Sequence, residues 1–417
     1  MVVWQVEGFS ASSPKHALCA GQQRSLRVLF DITKGSQEWG GIEEHVCMLG
    51  RRLAAAGCEP LFLRRADFPA DKLERLAAAH IRVLEIPEVV AQDGRHPPLL
   101  TWMRAYRTAI SCEQVDVVHM HSSLHGNEVW AATAARLAGV GTIVCTYHCL
   151  PGVESRRRRL AMSAMHRLLS VHGITVSTAV HEGIRKHYLM PPGYLTQITN
   201  GVDDPGLPVP GPGWQPGSPM TVAVISRLSP EKGIDVFVRA LALLAPTAQV
   251  SAVVVGDGDE LEPLKQQARE LGVEAWMAFV GYAADAVRLL PTFDLVVIPS
   301  RTEGLSLVAV EACAAGRPII ASAIGGLLEL VHDGENGWLV PVEDEKALAK
   351  AIEQASNNRQ LLRRMGAAGR RRYESHLRSD VMARNVLRVY HSTLARRHAN
   401  PLRSPIAPDI QSGGNPL

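Results

Sequence analysis

The 417-residue chain carries 44 Lys plus Arg against 41 Asp plus Glu, a net charge of +3. That is too even a balance for a general nucleic-acid binder. With 46 % hydrophobic residues, a chain this long exceeds one ordinary core and suits two domains of roughly 150–200 residues each.

The chain opens on MVVWQVEGFSASSPKHALCAG, which has no basic region ahead of an apolar one and so does not read as a signal peptide. Residues 1–24 are expected to be a poorly ordered leader. SLRVLFDI (25–32) then reads as a strand, followed by the loop TKGSQEWGG and a helical pattern from Ile42 to Ala56. Further strands are predicted at 59–63, 81–86, 115–121, 141–148 and 174–178, with helical stretches between them. Such alternation implies a parallel sheet, and residues 25–203 form the first expected domain. DPGLPVPGPGWQPGSP (204–219) has six prolines and four glycines in sixteen residues. It can be neither helix nor central strand, and is the expected linker.

The second half repeats the alternation. Strands are predicted at 220–226, 249–256, 276–281, 294–300 and 318–322, and helices at 233–244, 259–271, 306–316 and 344–356. Short runs rich in β-branched residues suit strands covered on both faces. The fold class is therefore α/β, with two Rossmann-like doubly wound domains facing a cleft, the second over 220–376. A last helix over 377–397 is expected to pack back on the first domain, and 398–417 is expected to be a flexible tail. The seven cysteines are scattered and read as reduced residues of a cytoplasmic protein. No apolar run approaches the roughly 18–20 residues that span a bilayer.

Three segments carry chemistry. In ISRLSPEKG (225–233) Arg227 and Lys232 emerge where a strand ends and the next helix begins. A guanidinium, an ammonium and a helix N-terminus together can neutralise a diphosphate; a solvated turn with two unrelated cations is the plainer alternative. In VVVGDGDEL (253–261) Gly256 and Gly258 allow close approach of the backbone to a ligand, or simply a tight strand-to-helix turn. Leu261 stands where a dinucleotide fingerprint wants a third glycine, so a nicotinamide reading is weak. In PSRTEGLSLVAVEACAAGRP, Glu303 and Glu311 are eight residues apart and would lie about 80° apart on a continuous helix. Because Glu303-Gly304 directly follows a strand, Glu303 falls in the loop and Glu311 inside the helix, with free N–H groups near Ser306 between them. One capping Glu and one satisfied helix Glu is the alternative.

Read together, SRLSPEKG, VVVGDGDEL, PSRTEGLSLVAVEACAAGRPIIAS and IGGLLELVHDGENGWLVP resemble, in order and spacing, the donor half of the retaining glycosyltransferase family 4, with its GT-B fold. WGGIEEHV (39–46), VVHMHSS (117–123), TYH (146–148) and ITNGVD (198–203) match its other half more loosely. The resemblance implies that Arg227 and Lys232 hold the donor diphosphate and that Glu311 binds the ribose hydroxyls. It implies that Glu303 and the backbone of Gly304, Leu305, Ser306 and Leu307 contact the donor sugar and phosphate. Gly40 and Gly41 would lie beside the diphosphate, and His148 by the reacting face of the sugar. Leu305 and Ser306 depart from the aromatic and glycine frequent there.

Other features read more plainly. Cys145, His148 and Cys149 suggest zinc, but a fourth ligand is missing and no metal is expected. His119 and His121 alternate onto one face of a strand end, where they line an acceptor cleft or are satisfied polar residues. Arg156, Arg157, Arg158 and Arg159 head an apolar periodic stretch, as a solvated helix start or a contact with anionic lipid headgroups. The expected protein is a cytoplasmic, metal-independent, retaining hexosyltransferase with no cofactor. Its donor would be a UDP or GDP sugar, its acceptor a glycan or lipid-linked intermediate of surface-polysaccharide assembly. A nucleotide-sugar epimerase and a non-catalytic sugar-nucleotide-binding protein are the alternatives.

Overall fold

A computed structural model describes residues 24–32, 40–64, 72–85, 99–122, 128–152, 154–190, 193–206, 218–244 and 248–399. Most of the predicted leader, the loop 33–39, the centre of the linker and the tail from 400 lie outside the described residues.

Thirteen strands form two sheets among these residues. The first holds β1 (Arg27–Ile32), β2 (Glu59–Arg64), β3 (Arg82–Glu85), β4 (Val117–Ser122), β5 (Thr142–Tyr147), β6 (Val171–Thr175) and β7 (Leu195–Gln197). The second holds β8 (Met220–Ile225), β9 (Val250–Val255), β10 (Met277–Gly281), β11 (Leu295–Ile298), β12 (Ile319–Ser322) and β13 (Gly337–Val340). Their orders are β3-β2-β1-β4-β5-β6-β7 and β10-β9-β8-β11-β12-β13. Every pairing is parallel. The central strands β4, β5, β11 and β12 are buried along their whole length, as strands covered by helices on both faces must be. This is the GT-B arrangement of two doubly wound sheets.

In each sheet the strand order reverses once, between β1 and β4 and between β8 and β11, and ligands in open α/β sheets sit outside such points. The strand ends there are followed by Ser226-Arg227 in one case and Pro299 to Glu303 in another; beside them in the first sheet, β5 runs into His148. The two halves touch: one apolar cluster runs from Leu29, Val118 and Tyr147 to Leu305, Val310 and Leu327.

Strands β7 and β13 lie outside the predicted strands, and other elements differ from expectation as well. The strand predicted at 174–178 lies at Val171–Thr175, because Ser177 caps the next helix, its hydroxyl accepting from the Val180 N–H at 3.3 Å. His172 and Gly173 interrupt the apolar pattern, yet a Cβ at Gly173 would sit 2.3 Å from Leu195 Cδ2, so β7 packs where a side chain would be. An unpredicted helix, Arg359–His376, precedes the last one, which lies at Ser379–Ala399, close to the expected 377–397. That last helix packs Met382, Val386, Val389 and Tyr390 against Val28, Phe30 and Val144 of the first sheet. It is guided there by ITNGVD: the Ser379 N–H donates to Val202 O at 2.9 Å, and Arg52 donates to Asp203 Oδ1 at 2.7 Å. Gly201 permits the crossing, since a Cβ there would lie 2.3 Å from Arg378 O.

Candidate active site

The Pro230–Lys232 segment is a single 3₁₀ turn ending at Gly233, which adopts φ +63° against the Pro299 carbonyl. A neighbouring loop clamps it. Arg301 donates to both carboxylate oxygens of Asp235 at 2.8 and 2.7 Å, also bonds Pro230 O and Glu343, and its N–H donates to Glu231 O at 2.8 Å. Burial alone would raise the Asp235 pKa, but the hydrogen bonds from Arg301 and Arg239 hold it below the usual carboxylate value. The clamp delivers Lys232 Nζ to Glu303 Oε2 at 3.0 Å, and Ser300 Oγ donates to the same oxygen at 3.2 Å. Arg227 is exposed, and a Cβ on Gly40 would lie 3.4 Å from its guanidinium. Gly40 stands before the first turn of the helix Gly41–Ala55, and its N–H donates to Glu43 Oε2 at 3.0 Å. A Cβ on Gly41 would meet Leu307 Cδ1 at 3.6 Å. Residues 40–41 and 227–307 thus face each other across the cleft.

Gly304 is the tightest point of that junction. A Cβ there would fall 1.9 Å from His148 O, while Ser177 Oγ donates to Gly304 O at 2.8 Å and the Gly326 N–H to the same oxygen at 3.1 Å. Close by, Glu329 accepts from the Thr178 N–H at 2.6 Å and from Gln197 Nε2 at 3.1 Å, at the N-terminus of the helix Thr178–His187. A carboxylate there is favoured by the helix dipole.

Gly256 and Gly258 need no ligand to explain them. At φ +144° and +150°, their missing side chains would strike Ser226 O at 1.8 Å and Leu228 O at 2.4 Å. The close approach they permit is to the chain that carries Arg227. Leu305 is buried in the apolar cluster that joins the two halves. Ser306 caps the helix Leu307–Ala314, accepting from the Ala309 N–H at 3.3 Å. That helix is otherwise apolar; Ala309, Val310, Ala312, Cys313 and Ala314 are all buried. Glu311 is its exception. Its carboxyl has no hydrogen bond or ion pair among the described residues, and burial, with the nearby Glu44 charge a smaller cause, pushes its pKa up to about 8.

The histidines separate. His119 is fully buried, with Nδ1 bonded to Tyr390 OH at 2.6 Å and Nε2 to Thr146 Oγ1 at 2.7 Å. With both nitrogens committed inside the core it does not line a cleft, and the acceptor-lining expectation is corrected to that of a satisfied core residue. His121 Nδ1 is 3.1 Å from His148 Nε2. His45, from the helix Gly41–Ala55, packs its ring 4.9 Å from that of His148. His45 lies within WGGIEEHV, a match that implied no role for it. Neither Cys145 nor Cys149 joins the one group of potential ligands close enough to hold an ion among the described residues, which is His45, His121 and His148.

These facing segments match known families. "Glycosyl transferases group 1" matches residues 215–372 and "Glycosyltransferase Family 4" residues 39–204. A D-inositol 3-phosphate glycosyltransferase of Corynebacterium aurimucosum is 30% identical over 357 residues, covering 77% of this chain and 83% of that protein. The chain belongs to glycosyltransferase family 4. A phosphatidyl-myo-inositol mannosyltransferase of Mycobacterium leprae is 30% identical to this glycosyltransferase over 366 residues, 84% of the chain and 92% of that protein. The crystal structure of Anabaena HepE in complex with UDP shares its fold, with TM-score 0.71 at 22% identity over 88% of this chain and 100% of that one. A Rickettsia africae glycosyltransferase does likewise, with TM-score 0.75 at 19% identity over 89% and 99%.

The glycosyltransferase also revises the arginine block. Arg156, Arg157 and Arg159 are exposed at the start of the helix Arg156–Leu168. Arg158 is instead turned inward, paired with buried Glu128 at 3.1 Å and with Glu154 at 3.1 Å. It is withdrawn from any membrane contact. Leu160 and Leu168 of the same helix are 69% and 80% exposed. No helix among the described residues is long and apolar enough to cross a membrane.

Proposed function

We propose that this glycosyltransferase moves a hexose from a UDP or GDP sugar to a glycan or lipid-linked acceptor, with retention of configuration and without a metal. The observation that carries the reading is the Lys232–Glu303 contact at 3.0 Å, set beside Arg227 at the strand-order reversal of the second sheet. The donor diphosphate lies against Arg227, Lys232 and the N-terminus of the helix Leu307–Ala314, where two fixed cations and free N–H groups stabilise the charge that develops as it leaves. In doing so it takes Lys232 from Glu303, which turns to the sugar hydroxyls, while Glu311 accepts from the ribose. The bond from the anomeric carbon to the phosphate oxygen breaks with its electron pair on the phosphate. The acceptor oxygen attacks the same face, and its proton passes to the departing phosphate. His148 sits at that face. The cation pair does the neutralising that a metal would otherwise supply, so cofactors are not part of the reading.

The Anabaena HepE structures hold UDP and UDP-glucose, which makes uridine the first nucleotide to test. The relatives named for inositol phosphate and phosphatidylinositol acceptors support an acceptor at or near a membrane. Peripheral contact with anionic lipid on the cytoplasmic face would use Arg156, Arg157 and Arg159. Thermal unfolding with UDP, GDP and ADP identifies the nucleotide, since a ligand at a hundred times its Kd adds about 2.7 kcal/mol. Labelled sugar nucleotide, with and without a membrane extract, then tests the reaction. Label moved to the extract supports it; conversion of donor alone indicates an epimerase, and binding without turnover a non-catalytic protein.

A further inference from the structure

Three histidines meet where the first sheet opens on the cleft, and the proposed transfer uses only one of them. His45 comes from the helix Gly41–Ala55, His121 from the C-terminal end of β4 and His148 from the residue after β5. One ring nitrogen of each lies within 4.8 Å of the other two, and His121 Nδ1 is 3.1 Å from His148 Nε2. Imidazoles bound to one tetrahedral ion at about 2.0–2.1 Å hold their nitrogens roughly 3.3–3.4 Å apart. That spacing lies between the 3.1 Å contact of His121 with His148 and the 4.8 Å limit of the whole cluster.

The surroundings suit ligation. His119 packs against His121 in a tilted arrangement with ring centroids 4.2 Å apart, and its own nitrogens are tied to Tyr390 and Thr146, so it supports the ring without joining the cluster. Nδ1 of buried His45 has no hydrogen-bond partner among the described residues. Burial holds all three rings in the neutral form that a metal requires. His45 and His121 are buried, whereas His148 is half-buried, so the one accessible side of the cluster is its own.

We propose that His45, His121 and His148 form a three-imidazole site for a divalent transition cation of the zinc class, with a fourth position open beside His148. Donors that are all imidazole favour zinc, cobalt, nickel or copper over magnesium and calcium. The site is therefore unlike a magnesium–diphosphate site, and filling it removes His148 from the sugar and inhibits transfer. Binding stands on the cluster alone; inhibition rests on the placement of His148 in the proposed reaction.

The test is a titration of the purified, chelator-stripped full chain with Co2+. The expected result is one equivalent bound with the strong visible absorption of four-coordinate cobalt, displaced by Zn2+ and not by excess Mg2+. His148→Gln and His45→Gln should each weaken binding roughly tenfold or more, at least the cost of losing an orienting partner, while exposed His332→Gln leaves it unchanged. Nucleotide-dependent thermal stabilisation in the same variants shows that they are folded. No saturable cobalt band, or an unchanged band in both variants, overturns the proposal and leaves a hydrogen-bonded imidazole cluster. Cobalt bound without loss of transfer keeps the site and removes His148 from the reaction.

Discussion

Lys232 and Glu303 were legible because local chemistry fixes them: a strand end, a Pro-Glu-Lys-Gly turn, and an acidic residue just before a helix. Their pairing was not, since it depends on Arg301 clamping two loops that are 66 residues apart at Asp235. Lys232→Ala and Arg227→Ala should each lower turnover by about two to three orders of magnitude, as removing one preorganised charge donor does. Both variants should keep the wild-type melting profile, because Arg227 is exposed and Lys232 partly so; full activity in both would remove the diphosphate assignment. Glu311→Ala should weaken free nucleotide as well as sugar nucleotide, and Glu303→Ala should spare free nucleotide, which isothermal titration distinguishes. Glu311 also makes a prediction without substrate. Its carboxyl is raised from an ordinary 4.5 to about 8, so between those values the folded protein holds a proton that the unfolded chain releases. Stability is accordingly lost as pH rises through that window, and Glu311→Gln escapes the loss. Urea melts should find Glu311→Gln more stable than wild type by about 1–2 kcal/mol at pH 9, well below the full shift because the group is only partly buried, and equal at pH 4. Equal stability at both would show that the carboxyl is not held in this environment.

At the scale of elements, apolar runs placed the central strands to within a residue or two, because strands buried on both faces carry an unbroken signal. β6 was displaced because His172 and Gly173 interrupt its run, although both are buried. The meeting of the histidines left no local mark either, since His45, His121 and His148 come from three elements joined only by the fold. Gly304 is where the two halves come closest in backbone contact. Gly304→Ala brings a Cβ to 1.9 Å from His148 O, so the two halves must part, and a misplacement of about 1 Å should reduce transfer about a hundredfold. Circular dichroism should show both sheets intact; wild-type transfer would show that the junction is not held closed in turnover. The helix Arg156–Leu168 carries the membrane prediction. With Arg158 paired inward, Arg156, Arg157 and Arg159 remain, each contributing about 1 kcal/mol near an anionic surface and screened by salt. Sedimentation with anionic vesicles should be lost at high salt and in the triple Arg→Gln variant. Undiminished binding by that variant would make the face an ordinary solvated one.

For the whole molecule, two alternating α/β halves and a Pro/Gly-rich connection made the architecture readable from periodicity, and the order of four motifs made the family readable. How the halves face each other was not readable, because that contact is made by backbone at Gly304, by Ser177 and by Glu329, residues with no pattern of their own. The last helix crosses back to the first sheet on the strength of a glycine, Gly201, and an aspartate, Asp203, whose partners lie over 150 residues away. In the proposed reaction, one cleft has the sugar nucleotide held by the second half and presented to the first. Transfer itself, measured for the wild type and Lys232→Ala together, tests that most directly. Label from a UDP or GDP sugar should move to a membrane-extract acceptor with the wild type, and about a hundredfold or more slowly with the variant. Equal transfer by both proteins, or none by a wild type that binds the nucleotide, would contradict it.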